Sequence, residues 1–442
     1  MSAKIDKAIA SGLLLTVVFT ALAYGTVEAW SVAVFELAII ALVSLWLIKS
    51  YIDRRLSVAI PQAALPVAAF ALLGVAQSIT FRGASLSADS EATRMAVTVV
   101  FVLLASFIIA ANFFNTRERL FMLGNFLIIY GFAMALFALV QHLAWDGRFY
   151  WVRPNTQGGS PFGPFVNHSH FAGYMEMLAP FPLAIVLTGG AKREARPLYA
   201  FAAVLMIVSI IASLSRGGWL ALAAEMSFIV AASLWMKRSR LKSEAGPSKR
   251  PFSILNPAAA AVLVLTVLLG MIWIGPDPVI NRVTGSTSLT AAETASGETF
   301  FTSRGWIWRD TLELFGSSPV LGVGLGAFQT AYTSSSDGDG RVIVNAAHND
   351  YLQALAETGI VGGFVTLWFI IAILAAIKGA IKRGVDARDP QLAAMALASG
   401  AGLVAMLVHS VFDFNLQLPS NALLFLLLSA VVSTKMVAGD ER

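Results

Sequence analysis

Residues 303–328 read SRGWIWRDTLELFGSSPVLGVGLGAF, and residues 345–363 read NAAHNDYLQALAETGIVGG. Both segments belong to the one long polar insert of an otherwise apolar chain, which follows the apolar run 257–275 and leads into the run 359–378. Connections longer than about 12–15 residues in a compact chain are usually either functional or disordered. Because the insert keeps helical patterns with aromatic residues, we interpret it as folded and functional.

Outside the insert the chain is dominated by apolar residues. Of its 442 residues, 57% are hydrophobic and only 13% are charged, and the mean hydropathy is +0.73. Soluble domains carry about 25% charged residues, whereas long apolar runs at low charge are typical of polytopic membrane proteins. Cysteine is absent, which excludes disulfide bonds and thiolate metal sites. The composition therefore predicts an all-α polytopic membrane protein.

The apolar runs are long enough to cross a bilayer, because a spanning helix needs about 20 mostly apolar residues. The sequence predicts twelve such helices, at residues 8–24, 31–49, 61–79, 93–113, 120–143, 168–188, 197–214, 218–236, 257–275, 359–378, 391–409 and 419–436. The predicted organisation is spans 1–9 in residues 1–275, a loop with short helices in residues 276–358, and spans 10–12 in residues 359–442.

Basic residues in the connections predict the orientation of the chain. If the N-terminus is inside, the inner connections hold 22 of the 31 Lys and Arg residues and the outer connections hold nine. The sequence therefore predicts both termini on the inner side and the long loop on the outer side.

Two helices are predicted inside the insert. Ser303 is a plausible N-cap for a helix over residues 304–315, whose apolar residues fall on one stripe. A second helix is expected to start near His348 or Asn349 and to run through Gly359 into the tenth span. This arrangement predicts that His348 lies at the outer membrane face on a rigid helix.

His348 is the first candidate for chemistry. At the predicted N-terminus of a helix, the positive end of the helix dipole disfavours an imidazolium. A neutral imidazole suits a general base that activates a hydroxyl group. The alternative is a histidine that caps the helix or makes one hydrogen bond at the interface.

Arg304 is the second candidate, because it opens the first predicted helix of the insert. A guanidinium together with free backbone N–H groups favours an anion such as phosphate. The alternative is a surface ion pair with Asp310 or Glu313. Arg309, one turn later, would assist in substrate binding or be neutralised by Glu313 at i+4.

Arg216 is the third candidate, in the segment LSRGGW between two apolar runs. A lone charge at membrane depth is expensive and marks a functional site by default. Gly217 and Gly218 would let a substrate approach the backbone closely. The alternative is an arginine that extends its charged end to the membrane surface.

Polar residues also enter the sixth span, in the segment GPFVNHSHFAGY, which contains Asn167, His168 and His170. Two histidines at i and i+2 do not share a helix face, and the nearest carboxylate is Glu176, so we predict recognition of a sugar and no metal site. The last hairpin, HSVFDFN at residues 409–415, is interpreted in the same way or as a structural cap.

Nucleotide chemistry receives no support from the sequence. Gly322, Gly324 and Gly326 resemble a phosphate-binding nest, but the strand and helix of a nucleotide fold are missing around them. Walker, Rossmann and HExxH patterns are absent. We therefore predict no nucleotide cofactor and no nucleic-acid partner.

Together the candidates form an outward-facing site at a bilayer surface, with two or three arginines and one histidine. Such a site suits a lipid-linked phosphate or diphosphate, because positive charge stabilises the leaving group and a base activates the attacking hydroxyl. Glycosyl transfer from a lipid diphosphate to an acceptor hydroxyl fits this pattern without a nucleotide or a metal.

The motifs resemble those of a known family. SRGGW, GPFVNHSHFAGY, AHNDYLQALAETGIVGG and HSVFDFNLQLPSNALLF are similar to signatures of the O-antigen ligase and polymerase superfamily of bacterial envelopes. The resemblance implies a GT-C-like glycosyltransferase of the bacterial inner membrane, with cytoplasmic termini, a periplasmic loop and no cofactor. It also implies an undecaprenyl-diphosphate glycan as the donor.

The same resemblance implies roles for individual residues. Arg216 and Arg304 would hold the diphosphate, His348 would activate the acceptor hydroxyl with inversion at the sugar carbon, and Asn349 would support the histidine. Ligases, which use lipid A–core as the acceptor, share these motifs with polymerases and with protein O-oligosaccharyltransferases. We favour the ligase.

Two other classes of protein remain as alternatives. A transporter of lipid-linked glycans should carry charge inside several spans, whereas here the charges gather at one outer face, which favours an enzyme. A non-catalytic membrane scaffold would leave Arg216, Arg304 and His348 unexplained.

Overall fold

The computed structural model describes residues 2–81, 84–156, 159–243, 300–335 and 344–434. Over these residues the chain forms fourteen α-helices, two 3-10 turns and two short β-hairpins. The helices are α1 Ser2–Leu22, α2 Ala29–Ile52, α3 Ala64–Ser78, α4 Ser90–Phe113, α5 Arg117–Leu143, α6 His168–Glu176, α7 Pro180–Thr188, α8 Arg196–Ala212, α9 Arg216–Ser243, α10 Phe300–Ser317, α11 Phe328–Ser335, α12 Asp350–Asp386, α13 Pro390–His409 and α14 Pro419–Ser433.

The small elements lie between these helices. Antiparallel pairs join β1 Thr80–Phe81 to β2 Ala84–Ser85 and β3 Arg148–Phe149 to β4 Arg153–Pro154. The 3-10 turns are Arg193–Ala195 and Asn415–Gln417.

The all-α polytopic class predicted from the sequence is confirmed. Across the described residues, nine segments are long and apolar enough to cross a membrane. Two further predicted spans form the 15-residue apolar helices α3 and α14. The predicted span 257–275 lies outside the described residues, so the count of twelve stays a prediction.

One predicted span is interrupted. Residues 168–188 form the two helices α6 and α7, which meet at residues 177–179 just before Pro180. Proline lacks a backbone N–H and fits the first turn of a helix but not its interior. The break keeps the N-terminal half of this span as a separate element, α6, which carries His170.

Helix α13 is at the centre of the bundle and packs against α7, α9, α12 and α14. Its sequence is rich in Ala, Gly and Ser, which allow helix backbones to approach closely inside a membrane protein. Gly402, for example, faces Met177, where an added β-carbon would lie 2.9 Å from the Met177 Cα. This packing fixes the end of α13, where His409 lies.

The polar insert is attached to the bundle through α12. Gly359 interrupts α12 with a φ of 63°, and an added β-carbon there would collide with the carbonyl of Val320. Gly322, with a φ of 72°, meets the backbone of Glu357 in the same way. The glycine-rich turn therefore packs on the helix break, and the predicted junction at Gly359 is where the insert meets the tenth predicted span.

The start of α10 differs from the prediction. The helix begins at Phe300, so Ser303 is not its N-cap and Arg304 lies in the second turn. Serine is tolerated in the first turn of a helix at little cost, so the local sequence does not force a start at residue 303. The end of the helix, at Ser317 before Pro319, agrees with the expected stop.

Candidate active site

The site is built around Asp413, in the hairpin that joins α13 to α14. The side chain of Asp413 is only 2% exposed. Its Oδ1 atom lies 3.2 Å from Nδ1 of His348 and 4.0 Å from Nε2 of His170, and its Oδ2 atom lies 3.7 Å from Nη2 of Arg304. Three basic side chains from three separate elements therefore converge on one buried carboxylate.

The basic neighbours keep Asp413 ionised. Burial raises the pKa of this carboxyl, but the hydrogen bond with His348 and the charges of His170 and Arg304 lower it more. The resulting pKa lies well below the usual range of an aspartate. Asp413 is therefore an anion that accepts hydrogen bonds, and the backbone N–H of Phe414 also donates to it at 3.0 Å.

His348 lies one residue before the N-cap of α12. Its side chain is 27% exposed, and its ring packs edge-on against Phe414. Because ionised Asp413 accepts from Nδ1, the imidazole is oriented with Nε2 as its proton acceptor. A histidine held by a carboxylate in this way is suited to general base catalysis.

The backbone of His348 is in the left-handed region, with a φ of 50°. Residues other than glycine rarely adopt this conformation, and it persists where the surrounding structure determines it. Asn349 caps α12 by accepting from the backbone N–H groups of Tyr351 and Leu352. The N–H of Asp350 donates to the carbonyl of Ser410 at 2.9 Å, which joins α12 to the hairpin of Asp413.

Arg304 reaches the same hairpin from α10. Its Nη1 atom donates to the carbonyl of Phe412, next to Asp413. The alternative partners expected from the sequence are engaged elsewhere: Tyr332 donates to Asp310 at 2.6 Å, and Glu313 bonds Arg309 at 3.2 Å. The guanidinium of Arg304 is thus held beside Asp413.

Arg309 is not brought into this cluster. Its side chain is 70% exposed and pairs with Glu313 at i+4, the alternative expected for it from the sequence. Residues 304 and 309 are five positions apart on a helix of 3.6 residues per turn, so their side chains leave different faces. Its predicted part in substrate binding stays a prediction.

Arg216 is the first residue of α9 and is half-buried. The adjacent Gly217 packs on the imidazole of His409, where an added β-carbon would lie 2.9 Å from Nε2. Ser215 donates to the hydroxyl of Ser169 at 3.1 Å, so the start of α9 touches the start of α6. Arg216 is therefore at the same end of the bundle as Asp413.

The comparison with known families covers the segment that contains these basic residues. Residues 201–367 match a family model described as O-antigen ligase. Residues 201–367 therefore resemble an O-antigen ligase domain. The matched segment includes Arg216, Arg304 and His348, and it confirms the superfamily resemblance inferred from the motifs. No curated protein matches the chain.

The match supports a multi-pass membrane protein of the O-antigen ligase and polymerase superfamily. This family points to a glycosyltransferase-like reaction on lipid-linked glycans in a membrane. The matched segment ends before Asp413, and α6 lies outside it as well. The carboxylate that orients the basic residues thus comes from outside the matched segment.

The residues predicted on the sixth span have distinct positions. Asn167 caps α6 by accepting from the N–H of Ser169 at 2.8 Å, and His168 is the first helical residue. His170 is buried, and its ring packs edge-on against Phe414, which His348 also contacts. Of these three predicted sugar-binding residues, His170 is the one whose ring nitrogen lies 4.0 Å from Asp413.

Sequence reasoning did not assign Asp413 to the active site. It named the HSVFDFN hairpin only for polar recognition or as a cap. Asp413 is the carboxylate of that hairpin, on the same predicted side as Arg304 and His348. Several basic side chains that are buried together need a carboxylate near them. A search for that carboxylate could have identified Asp413 from the sequence.

A second histidine–carboxylate pair, fully buried, lies next to the candidate active site, at the last residue of α13. Nδ1 of His409 lies 3.1 and 3.0 Å from the two carboxylate oxygens of Glu176, and both side chains are 0% exposed. Glu225 on α9 is also buried. No local sequence pattern indicated that His409 would be the partner of Glu176.

Proposed function

We propose that this protein is a metal-independent glycosyltransferase that moves a glycan from undecaprenyl diphosphate to an acceptor hydroxyl at the periplasmic face of the bacterial inner membrane. We further propose that the acceptor is lipid A–core, which makes the protein an O-antigen ligase in lipopolysaccharide synthesis. The observation that carries the proposal is the His348–Asp413 pair beside Arg304. The description of the matching family supports the ligase reading.

His348 is the proposed general base. Its Nε2 atom takes the proton of the acceptor hydroxyl while Asp413 holds Nδ1–H. The hydroxyl oxygen forms a bond to the anomeric carbon from the face opposite the leaving group, so the configuration at that carbon is inverted. The bond between the anomeric carbon and the phosphate oxygen breaks, and the proton on His348 passes to solvent.

Arg304 and Arg216 are proposed to hold the leaving group. The electron pair of the broken bond goes to undecaprenyl diphosphate, whose negative charge grows in the transition state. Fixed guanidinium groups stabilise such charge and bind phosphate oxygens in a bidentate manner. Arg304 is kept in position by the carbonyl of Phe412 and the carboxylate of Asp413.

A cavity beside the site supports a lipid-linked donor. It has a volume of about 600 Å³ and lies between α2, α3, α4, α12 and α14. Phe414, which contacts both His170 and His348, belongs to its wall. Apolar side chains make up most of the remaining lining, such as Val32, Phe70, Leu103, Phe369 and Phe425. Such a cavity suits the isoprenoid units next to the diphosphate.

Transfer by the purified protein tests this function. The protein in phospholipid nanodiscs would be given an undecaprenyl-diphosphate glycan and lipid A–core, with EDTA present throughout. We expect extended lipid A–core and released undecaprenyl diphosphate. If the donor alone yields longer lipid-linked chains, the polymerase replaces the ligase. If EDTA stops transfer and Mg²⁺ restores it, the metal-independent mechanism is wrong.

Matched variants test the residue roles. His348→Ala should abolish transfer while binding of the donor survives, and His142→Ala, at an exposed histidine of α5, is the control. Arg304→Gln should raise the KM for the donor, with Arg94→Gln, at an exposed arginine of α4, as its control. Normal transfer by the His348 variant would remove the proposed base.

A further inference from the structure

Gln353, the fourth residue of α12, accepts a hydrogen bond from the backbone just before His348. Its Oε1 atom accepts from the N–H of Ala347 at 2.9 Å, in a buried position. Its Nε2 atom donates to Oε1 of Glu357 at 3.0 Å and to Oε1 of Gln417 at 2.9 Å. With donors and acceptors matched on both sides, the amide of Gln353 has one orientation that satisfies every contact.

Glu357 continues this chain of hydrogen bonds to the glycine-rich turn. Its second carboxylate oxygen, Oε2, accepts from the N–H of Gly326 at 2.9 Å. Its backbone carbonyl accepts from Gln77 of α3 at 2.8 Å and from the N–H of Gly324 at 2.9 Å. The turn that the sequence suggested as a phosphate nest thus directs two of its N–H groups at Glu357.

The segment that Gln353 holds contains a residue with a strained backbone. His348 has a left-handed backbone, a strained conformation for a residue other than glycine. The indole N–H of Trp308 donates to the carbonyl of Ala347 at 3.0 Å, so both polar backbone atoms of Ala347 are bonded to side chains. The position of the imidazole depends on these contacts, because no regular helix or strand includes residues 344–349.

We propose that Gln353 and Glu357 are positioning residues for His348, and that they fix its imidazole against Asp413. The proposal rests on the function of His348 proposed above. Neither side chain contacts His348 directly; Gln353 acts through the N–H of Ala347, and Glu357 acts by orienting the amide of Gln353. A buried amide or carboxylate is costly unless its hydrogen bonds are made. Here the hydrogen bonds connect the glycine-rich turn to Glu357, Glu357 to Gln353, and Gln353 to the residue before His348.

An exchange of the two functional groups tests the proposal. Gln353→Met keeps the volume and removes all three side-chain hydrogen bonds. We expect kcat to fall about 100-fold, the loss typical of a displacement of about 1 Å, while the KM for the donor changes little. Gln353→Glu places two carboxyl groups face to face, and Glu357→Gln leaves the orientation of the amide undetermined. Both single variants should therefore lose kcat.

The double variant Gln353→Glu/Glu357→Gln restores the complementary pattern. The carboxylate at position 353 then accepts from Ala347 and from the amide at position 357, whose oxygen accepts from Gly326. The amide of Gln417, which now faces Gln353 with its oxygen, turns over so that its NH₂ group donates to the same carboxylate. We expect the double variant to recover most of the kcat lost by the single variants. A role limited to stability predicts wild-type kcat per folded molecule in the single and double variants, and this outcome would overturn the proposal.

A measurement independent of activity separates this inference from the proposed function. Diethylpyrocarbonate modifies accessible histidines, and mass spectrometry reports its rate at His348, whose side chain is 27% exposed. We expect Gln353→Met to change the rate at His348 severalfold and Gln329→Met, at an exposed glutamine of α11, to leave it unchanged. An unchanged rate in Gln353→Met overturns the positioning role even if the wild-type protein transfers no glycan. If wild-type transfer fails but the rate at His348 changes, only the proposed function is lost.

Discussion

The molecule contains two histidine–carboxylate pairs whose local geometry is similar. Nδ1 of His348 lies 3.2 Å from Asp413, and Nδ1 of His409 lies 3.0 Å from Glu176. The first histidine is 27% exposed in its side chain, whereas the second is 0% exposed. The N–H of Asp413 donates to the carbonyl of His409, so both pairs belong to one end of α13.

The difference shows that the exposure of the histidine decides whether a histidine–carboxylate pair can act on a substrate. A general base must reach the proton that it removes, and His348 meets this condition while His409 is enclosed by the bundle. A fully buried ion pair is retained because the loss of one partner leaves an uncompensated charge. We therefore propose that the pair with His348 takes part in the chemistry and that the pair with His409 contributes to stability, and the variants below test this division.

The largest effect is expected at the exposed pair. His348→Gln keeps a hydrogen-bonding side chain but removes the base, and kcat should fall by about 10²- to 10⁴-fold, the usual contribution of general base catalysis. Thermal unfolding should change little, since the side chain is partly exposed. If His348→Gln transfers glycan at the wild-type rate, the exposed pair does not supply the general base.

Asp413→Asn should have the next largest effect on activity. The amide keeps the volume but removes the anion that orients His348 and balances Arg304, and we expect a fall in kcat of about 100-fold from misplacement of the base. The KM for the donor should rise less, because Arg304 is still bonded to Phe412. Wild-type kcat in this variant would exclude Asp413 as the orienting group.

The pH dependence of stability supplies a second measurement on Asp413. Its pKa is lowered in the folded state, so its stabilising contribution is complete above the unfolded pKa of about 3.9 and is lost only as pH falls towards the folded pKa. The difference in melting temperature between wild type and Asp413→Asn should be constant from pH 8 to 5. A difference that disappears by pH 5 would contradict the lowered pKa.

Substitutions in the buried pair should mainly lower the free energy of unfolding. Glu176→Gln removes one charge of a fully buried pair, and we expect a loss of about 3–5 kcal/mol in the free energy of unfolding, with kcat per folded molecule little changed. The double variant Glu176→Met/His409→Phe replaces the pair with apolar side chains and should recover much of the stability. If Glu176→Gln instead lowers kcat without a loss of stability, the buried pair takes part in the chemistry.

The smallest effect is expected at Arg309, on the same helix as Arg304. Its pair with Glu313 is exposed, and exposed i,i+4 pairs contribute only about 0.3–0.5 kcal/mol. Arg309→Gln should raise the KM for the donor less than Arg304→Gln does. Equal increases would mean that substrate binding draws Arg309 into the site.

Local properties of the chain were predictable. The spans followed from hydropathy, and the N-cap of α12 is Asn349, one of the two positions expected for the start of this helix. The insert was expected to meet the tenth span at Gly359, and glycine readily adopts the positive φ found there. The predicted Ser303 cap was wrong, since α10 begins at Phe300.

The sequence by itself determined a polytopic helical protein with Arg216, Arg304 and His348 as candidates for chemistry. These conclusions rest on the cost of charge in a membrane and on the properties of single side chains. Only the tertiary structure joined His348 to Asp413, 65 residues away, and Arg304 to Phe412, 108 residues away. The physical reason is that apolar burial depends on the local sequence, whereas the partner of a buried charge depends on which helices pack side by side.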